Sequence, residues 1–441
     1  MCNTKKLFKY LLPSVGAMLV TSLYMVVDGI FVGNGVGAIA LASVNIAVPY
    51  ISIVLALTMM VTMGGATLTS IAFGKGDNYR ANMIFRYSVY AVFAFSFLMT
   101  IISVSIPEHI AKLFGASDTL LKDTATYIRF YVLFCVFFCL AMTLSAFVRN
   151  DGNPRLAFWG MLVGGVSNIF LDWLFIYPLK MEVMGAAIAS GLGQVLSCAI
   201  LSIHFILKKG NLRIGRVDKD FKLVLDICRR GIPEFVTQLS QPVVIFCYNL
   251  VVQKYYGDIG VSAFSIISYL VIIVIGVFTG VSQGIQPLIS YSVGEENKKN
   301  EQFFFYSGLI INFVLSVIMY LTLFFGGEFF IRIFNKDIEI VNIAYNCVKI
   351  YGISFIFASI NIIITTYLLS KKATVGSVTV ALLRSVVFSS LFIFTTPIMF
   401  GEKSIWAGII IAEILTLFVG LGIVLYQTLK KKENKQTLIN E

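Results

Sequence analysis

The stretch VSAFSIISYLVIIVIGVFTGVSQGIQPLISYS, residues 261–292, contains no Asp, Glu, Lys or Arg. An α-helix needs about 20 mostly apolar residues to cross the hydrocarbon core of a bilayer. The stretch is too long and too uniformly apolar for a strand of a membrane β-barrel, whose residues alternate in polarity. We therefore expect a membrane-spanning helix here, and the same test along the rest of the chain decides the fold class.

The composition of the whole chain is that of a multi-pass membrane protein. Of its 441 residues, 58% are hydrophobic and only 13% are charged, whereas soluble proteins carry about 25% charged residues. The net charge of +11 would suggest nucleic acid as the partner of a soluble protein. Here the basic residues lie in short segments between apolar runs, so we expect membrane lipid and no nucleic acid as a partner. A soluble enzyme, a disordered protein and a disulfide-rich secreted protein are excluded as classes.

Twelve apolar stretches are long enough to cross a membrane, which predicts an all-α integral membrane fold with twelve transmembrane helices. The stretches cover about residues 10–33, 44–73, 82–106, 127–149, 155–177, 184–207, 228–253, 261–292, 303–326, 344–370, 374–399 and 404–429.

The distribution of Lys and Arg between these stretches predicts the orientation of the chain. If both termini are cytoplasmic, the inside segments hold 24 basic residues and the outside segments hold nine. Short cytoplasmic loops of membrane proteins carry this excess of positive charge. We therefore expect a multi-pass protein of the cell membrane with both termini in the cytoplasm.

The second half of the chain repeats the first at an offset of about 220 residues. Pro13 matches Pro233 and Gly37 matches Gly257, in register with the predicted spans. Six helices in each half give both halves the same orientation, which makes them parallel repeats related by an axis along the membrane normal. We expect a basic linker with a short amphipathic helix on the membrane surface. The predicted parts are an amino-terminal six-helix lobe over 1–207, a cytoplasmic linker over 208–227 and a carboxy-terminal six-helix lobe over 228–441.

Few ionisable residues lie inside the predicted spans, and such residues are expensive in a bilayer and commonly functional. Asp28 lies in the first span, and Asn168 and Asp172 lie in the fifth. Because Asn168 and Asp172 are four residues apart, they share one helix face. A carboxylate and an amide oxygen on one face can hold Na⁺ or a proton, and Asp28 can complete such a site from the first span. Alternatively, Asn168 and Asp172 form a buried hydrogen bond between helices that has only a structural role. The repeat sets Tyr248 opposite Asp28, so we expect the ion site in the first lobe only.

The second lobe contains two further ionisable residues within spans, Arg384 in the eleventh and Glu413 in the twelfth. Both lie near the middle of adjacent helices, which predicts a buried ion pair, of structural or functional role. Glu234 lies near the cytoplasmic end of the seventh span.

No motif for a nucleotide or for catalysis occurs in the chain. A Gly-rich phosphate-binding loop followed by Lys and Ser or Thr is missing from the sequence, as is a catalytic dyad. We therefore expect no enzymatic activity, no cofactor and no metal apart from a coupling Na⁺. Two related six-helix bundles around a central cleft are typical of transporters, so we expect transport driven by an ion gradient.

Several motifs together resemble the multidrug and toxic compound extrusion (MATE) transporters, in the pattern of the bacterial multidrug branch. The resemblance covers nearly the whole chain. Its parts are residues 27–33 (VDGIFVG), 74–77 (GKGD), 149–154 (RNDGNP), 168–172 (NIFLD), 185–190 (GAAIAS) and 231–234 (GIPE).

The resemblance implies an antiporter that exchanges Na⁺ or H⁺ for lipophilic cations across two six-helix lobes. It attributes ion binding to Asp28, Asn168 and Asp172, helped by oxygens near Ala186 and Ser190, where Thr is more usual than Ser. Another branch of the family places acidic ligands in the second lobe. Here Gln238 and Gln241 occupy the corresponding part of the seventh helix, so these two glutamines and Glu234 are assigned to substrate contact or gating.

From the residues and the resemblance we expect a transporter that exports cationic, lipophilic drugs and toxic compounds and is coupled to an ion gradient. We expect it to work as a monomer. Such a function would contribute to drug resistance and xenobiotic transport. The alternative is a flippase for a lipid-linked saccharide or another amphiphile, which would need a basic cavity to bind phosphate. A channel is a third class, opposed by the lack of a repeated polar stripe along the spans.

Overall fold

A computed structural model describes residues 2–218 and 220–440 of the chain. Within these residues every regular element is a helix, so the predicted all-α fold class is confirmed. Helices satisfy their backbone hydrogen bonds internally, which the hydrocarbon core of a membrane requires. Lys219, which the sequence analysis counts with the basic linker, lies outside the described residues, as do residues 1 and 441.

The described part of the first half folds into eight α-helices. They are α1 (Cys2–Gly35), α2 (Ala38–Gly74), α3 (Asn78–Ser105), α4 (Pro107–Leu113), α5 (Asp118–Leu133), α6 (Cys135–Asn150), α7 (Pro154–Ile176) and α8 (Glu182–Ile206).

The second half begins with α9, which extends from Phe221 to Gly294 and is followed by shorter helices. These are α10 (Lys298–Phe334), α11 (Ile338–Tyr351), α12 (Ser354–Ser370), α13 (Thr374–Leu382), a π-helical turn (Leu383–Val387), α14 (Phe388–Phe400), a 3₁₀ turn (Glu402–Ala407) and α15 (Gly408–Asn440).

Glycines at matching positions of the repeat separate consecutive spans. Gly257 interrupts α9 with φ of 59° and ψ of −155°, and Gly37 separates α1 from α2 with φ of 114° and ψ of 177°. Residues with a Cβ rarely adopt these combinations, so both turns depend on glycine. The break at Gly257 divides α9 into two spans, which correspond to the predicted seventh and eighth helices.

The number of membrane spans agrees with the prediction. Nine of the described helices are long and apolar enough to cross a membrane, and two further spans each consist of two helices bent by 50°. The bent spans are α5 with α6 and α11 with α12. Because α9 contains two spans, the described residues form the twelve transmembrane helices expected, and the chain is a multi-pass membrane protein.

The helices pack into two compact units whose limits differ from those of the sequence repeat. Unit 1 contains residues 1–239 and 279–301, and unit 2 contains residues 240–278 and 302–441. Both ends of α9 therefore belong to unit 1. They do so because they pack on the first helices at glycines: Gly231 lies against the Met60 carbonyl of α2, and Gly280 lies against the Val15 backbone of α1. The lobe limits of the repeat, with the linker at 208–227, stay a prediction from the sequence.

Residues 209–218 and 220 of the linker are not helical, and residues 212–218 are extended. The part of the predicted linker that is helical, residues 221–227, is the beginning of α9. Side chains of α3 bind backbone carbonyls of the linker and so stabilise a non-helical conformation. Arg86 Nε donates to Arg213 O at 2.9 Å, Arg86 Nη1 donates to Arg216 O at 2.8 Å, and Tyr90 Oη donates to Gly215 O at 2.8 Å. Side-chain donors that bond these carbonyls satisfy them without a helix and so favour the non-helical conformation.

Candidate functional site

Close helix packing within unit 1 brings α1, α7 and α8 together. A Cβ at Gly193 of α8 would lie 2.7 Å from the Gly164 carbonyl oxygen of α7. On the neighbouring face of α7, a Cβ at Gly165 would lie 2.9 Å from Val20 Cγ1 and 3.2 Å from a ring carbon of Tyr24 on α1. Glycines at such crossings let membrane helices approach at backbone distance. The polar residues one turn further along these helices are therefore within reach of one another.

Asn168 and Asp172 of α7 point into the protein, as their shared face predicts. Asn168 is 2% exposed and Asp172 is fully buried. Asn168 Nδ2 donates a hydrogen bond of 3.2 Å to Ser190 Oγ of α8. The carboxyl group of half-buried Asp28 lies within hydrogen-bonding reach of the Asp172 carboxyl group. The structure thus brings together Asp28, Asn168, Asp172 and Ser190 from three helices.

The oxygen atoms of this cluster lack hydrogen-bond donors. Buried atoms with no donor among the described residues are Asp28 Oδ1, both carboxyl oxygens of Asp172 and Asn168 Oδ1. Buried polar atoms are nearly always hydrogen-bonded, and two adjoining carboxylates repel each other. A proton shared between the carboxyl groups, or a small hard cation among the oxygens, would provide a bonding partner for these atoms. Carboxylate, amide and hydroxyl oxygens are suitable ligands for such a cation.

Two more polar residues, which the sequence reasoning missed, adjoin the cluster. Gln194 of α8 is 5% exposed, its Oε1 is buried with no donor in the described chain, and its side chain lies beside the Tyr24 hydroxyl group of α1. The Tyr24 hydroxyl also lies in electrostatic range of Asp28. Spacing was an available signal, because Tyr24 is four residues from Asp28 and Gln194 is four residues from Ser190.

Ala186, the remaining residue assigned by resemblance, lies one turn before Ser190 on α8. It is 1% exposed and packs in an apolar cluster with Tyr127 and Ile176. Its side chain carries no ligand atom, so any contribution to ion binding comes from its backbone oxygen.

In unit 2, Arg384 and Glu413 form an ion pair between the π-helical turn and α15. Arg384 Nε lies 2.8 Å from Glu413 Oε1 and 3.1 Å from Oε2. The two side chains are 15% and 5% exposed. Asn361 of α12, fully buried, donates from Nδ2 to Glu413 Oε2 at 2.7 Å and to Glu413 O at 2.9 Å. The carboxylate therefore has partners on two sides.

The three residues assigned to substrate contact or gating lie elsewhere on α9. Glu234 and Gln238 are half-buried in unit 1, one helical turn apart, and Gln241 is exposed in unit 2. Among the contacts described for the chain, none joins these residues to Asp28 or Asp172.

Unit 1 also contains a polar cavity of about 420 Å³ beside the first turns of α1. Its wall includes Lys6, Asn150 and Tyr291, and Lys6 Nζ lies 4.7 Å from the centre of the Tyr291 ring. Asp151, also in the wall, accepts hydrogen bonds from His204 Nε2 at 2.9 Å and from Asn211 N at 2.8 Å. The cavity thus adjoins the sequence motif at 149–154 and the start of the linker.

Over residues 2–218 and 220–440, no three His, Cys, Asp or Glu side chains form a group that could hold a metal ion. The oxygen cluster of α1 and α7 has two carboxylates and one amide, a donor set for a proton or an alkali cation rather than for a transition metal.

Comparison with known proteins identifies the family. The MatE family model matches twice, over residues 13–174 and 233–395, which are the two halves of the repeat. The multidrug export protein MepA of Staphylococcus saprophyticus is 24% identical over 422 residues, which cover 95% of this chain and 93% of the relative. MepA of Staphylococcus aureus is 23% identical, with the same shares of both chains covered.

Solved structures have the same fold. An outward-facing multidrug resistance MATE family transporter of the MOP superfamily superimposes with a TM-score of 0.91 at 20% identity, over 97% of each chain. A MOP superfamily transporter from Pyrococcus furiosus, described as having a binding pocket of reversed polarity, superimposes with a TM-score of 0.90 at 21% identity and the same coverage. The double match to the family model covers most of the chain, and the chain therefore belongs to the multidrug and toxic compound extrusion family.

Proposed function

We propose that this protein is an antiporter that exports lipophilic cations in exchange for H⁺ or Na⁺, and that Asp28, Asn168 and Asp172 bind the coupling ion. Ser190 assists through its hydroxyl group and Ala186 through its backbone oxygen. The observation that carries the proposal is that the Asp28 and Asp172 carboxyl groups lie close together in a buried site.

Such a site has two stable states with different charge. With a proton or Na⁺ bound, the repulsion between the carboxyl groups is relieved and the buried oxygens have a partner. Without the ion, the site is anionic and must be hydrated or opened. An ion that binds one conformation of the transporter more strongly than the other shifts the equilibrium between them, which is how a gradient can drive export.

Two observations support organic cations as substrates. The curated relatives are named multidrug export proteins, and the ionisable cluster of unit 1 is acidic. Lipophilic cations can be attracted by such a cluster when it is empty and released when the coupling ion neutralises it. No cofactor takes part, and the expected partners are membrane lipid and the substrate.

The orientation is part of the proposal. The excess of Lys and Arg in alternate loops supports cytoplasmic termini in the cell membrane. With this orientation, the extended linker lies on the cytoplasmic side. We expect the protein to work as a monomer, because each chain contains both halves of the repeat.

The test is gradient-driven transport of ethidium by purified protein in liposomes. A pH gradient and a Na⁺ gradient are imposed separately on vesicles that contain wild type, Asp172→Asn or Asp28→Asn. The matched control is Asp118→Asn, which makes the same change at an exposed position in the first turn of α5.

We expect either the pH gradient or the Na⁺ gradient to drive ethidium transport in wild type and in Asp118→Asn. Asp172→Asn and Asp28→Asn should each lose most of this gradient-driven transport. Unchanged transport in both site variants would remove the assignment of the ion site. Scrambling of a labelled lipid-linked saccharide without any gradient, with no movement of ethidium, would show a flippase instead.

A further inference from the structure

The polar cavity beside the first turns of α1 is enclosed by segments from distant parts of the chain. Its wall is formed by the start of α1, the end of α2 and the turn after it, the loop after α6, the linker and the last turns of α9, all within unit 1. Its volume of about 420 Å³ lies within the range of about 300–1,000 Å³ that small-molecule sites usually have. The cavity is therefore large enough for a small organic ligand.

The free polar groups in this wall are mostly hydrogen-bond donors. Lys6 contributes an ammonium group, and the hydroxyl groups of Tyr10 and Ser70 form no hydrogen bond with another described residue. Tyr10 and Ser70 are 8% and 2% exposed, so bulk water surrounds neither side chain. The amide groups of Asn78 and Asn211 also lie in the wall. A ligand with several acceptor oxygens would provide partners for these donors.

The carboxylate in the wall already has its own donors. Asp151 accepts hydrogen bonds from His204 Nε2 at 2.9 Å, from Asn211 N at 2.8 Å and from Leu212 N at 3.2 Å. A carboxylate with three donors on its two oxygens has little capacity left for a ligand. Asp151 therefore fixes the linker against the wall and does not make the cavity a site for cations.

Two basic side chains at the cavity lack an acidic partner. Lys6 Nζ lies 4.7 Å from the centre of the Tyr291 ring and pairs with no carboxylate among the residues described. Arg149, one residue before Asn150 of the wall, is 5% exposed, and its side chain forms no ion pair or hydrogen bond within the described part of the chain. The charge that remains without a partner here is positive, which favours an anionic ligand.

A phosphate group fits these features well. Lysine binds phosphate as a point charge, and the donors of the wall come from α1, α2, the start of α3 and the linker, which suits an anion with oxygens on several sides. Phe73 and Tyr291 form an apolar part of the wall beside the carbon skeleton of a phosphate ester. With the orientation proposed above, the cavity lies on the cytoplasmic side, where basic pockets of membrane proteins bind the headgroups of anionic lipids.

We propose that this cavity binds a phosphate ester, either dissolved in the cytoplasm or carried by the headgroup of an anionic lipid. Lys6 binds the phosphate charge, and Tyr10 donates to a phosphate oxygen from its hydroxyl group. Because the wall combines α1 and α2 with the end of α9, a bound ligand joins segments from both halves of the sequence and stabilises their contact. The site shares no residue with the oxygen cluster of Asp28 and Asp172, and it goes beyond the proposed export function.

The test measures ligand binding by the full-length protein. Isothermal titration calorimetry at constant ionic strength gives the affinity for two soluble probes, inorganic phosphate and glycerol 3-phosphate. Thermal unfolding in nanodiscs of phosphatidylcholine, with and without phosphatidylglycerol, measures the effect of a lipid headgroup. The variants are Lys6→Gln and Tyr10→Phe. The matched control is Lys5→Gln, which makes the same change at the adjacent exposed lysine outside the wall.

We expect Lys6→Gln to weaken the binding of a soluble phosphate by about 10- to 100-fold, since a hydrogen bond to a charged group commonly has an effect of that size. Tyr10→Phe removes an uncharged donor and should weaken binding by about 2- to 10-fold. Lys5→Gln should change the affinity by less than about twofold, because salt screens exposed charges. If the ligand is a lipid, the soluble probes do not bind, and the same order of effects appears in the stabilisation by phosphatidylglycerol.

No binding of either soluble probe, together with equal stability in the two kinds of nanodisc, would overturn the proposal and leave the cavity as a site for water only. Equal losses of affinity in Lys5→Gln and Lys6→Gln would overturn it as well, because they would show a general attraction of anions to the basic surface. The ethidium assay tests the export function separately, so neither result would contradict that function.

Discussion

Gly74 of α2 and Gly294 of α9 lie against each other at a distance that leaves no room for side chains. A Cβ at either glycine would lie 2.9 Å from the Cα of the other, and each would also contact a backbone carbonyl of the opposite helix, that of Tyr291 or of Ile71. The two glycines are 220 residues apart, as are Ile71 and Tyr291. The contact is therefore symmetric under the repeat, and it attaches the end of α9 to unit 1.

We expect Gly74→Ala and Gly294→Ala each to destabilise the protein, by about 1–3 kcal/mol, because the added methyl group forces the two backbones apart. The control is Gly422→Ala in α15, where a Cβ would meet nothing within 4 Å; this change should be neutral or slightly stabilising, since alanine favours helices. Thermal unfolding of the purified protein in detergent measures all three. Equal melting temperatures for all three variants would contradict the close contact.

The buried pair Arg384 and Glu413 should matter much more for stability than an exposed pair in the same unit. Glu413→Ala leaves Arg384 without its partner, which commonly costs about 3–5 kcal/mol at buried sites. Glu328→Ala removes the partner of Arg332, whose side chain is 44% exposed, and should cost less than about 0.5 kcal/mol. Unfolding of both variants in denaturant checks the difference. A similar small cost for both changes would indicate that water reaches the inner pair.

Asn168 should contribute to ion binding through its amide group and not merely through its size. Asn168→Leu removes both the hydrogen bond to Ser190 and the free Oδ1, so we expect at least about a tenfold loss of gradient-driven transport. Ser190→Thr keeps the hydroxyl acceptor and should retain most of the activity. The measurement is the rate of ethidium transport at several concentrations of the coupling ion. Activity of Asn168→Leu equal to wild type at low ion concentration would exclude the amide as a ligand.

Arg86 should hold the linker in its extended form. Arg86→Gln removes the two hydrogen bonds to the carbonyls of Arg213 and Arg216, so the linker should become more sensitive to trypsin by several-fold. Arg80→Gln, an exposed substitution on the same helix, is the control. Mass spectrometry of the fragments identifies the cleavage sites. The same rate of cleavage in all forms would show that other contacts hold this segment.

The spans and the polar residues within them could be predicted from the sequence because both are local properties. Hydropathy depends on about 20 consecutive residues, and an Asp or Arg among them is visible directly. The spacing of Asn168 and Asp172 also predicted their shared buried face. Spacing places Tyr24 on the same face of α1 as Asp28, and Gln194 on the same face of α8 as Ser190. That these faces meet Asn168 and Asp172 depends on how closely α1 and α8 cross α7 at glycines.

The linker shows why a pattern can mislead. The sequence predicted a short amphipathic helix somewhere in this basic segment; residues 212–218 are extended, and helix begins at Phe221. Hydrogen bonds from Arg86, Asn82 and Tyr90 of α3 compete with the helix for the same carbonyl groups. These partners lie about 125 or more residues away in the chain, so no local pattern contains them.

The sequence by itself determined the class of protein, the number of spans, the two-fold repeat and the candidate residues Asp28, Asn168, Asp172, Arg384 and Glu413. Only the tertiary structure decided which of these side chains meet, which of their atoms lack partners, and that the ends of α9 pack with the first unit. The physical reason is that insertion into a bilayer depends on the hydropathy of each segment alone. Contacts between helices instead depend on shape, on glycines that let backbones touch and on hydrogen bonds between residues far apart in the chain.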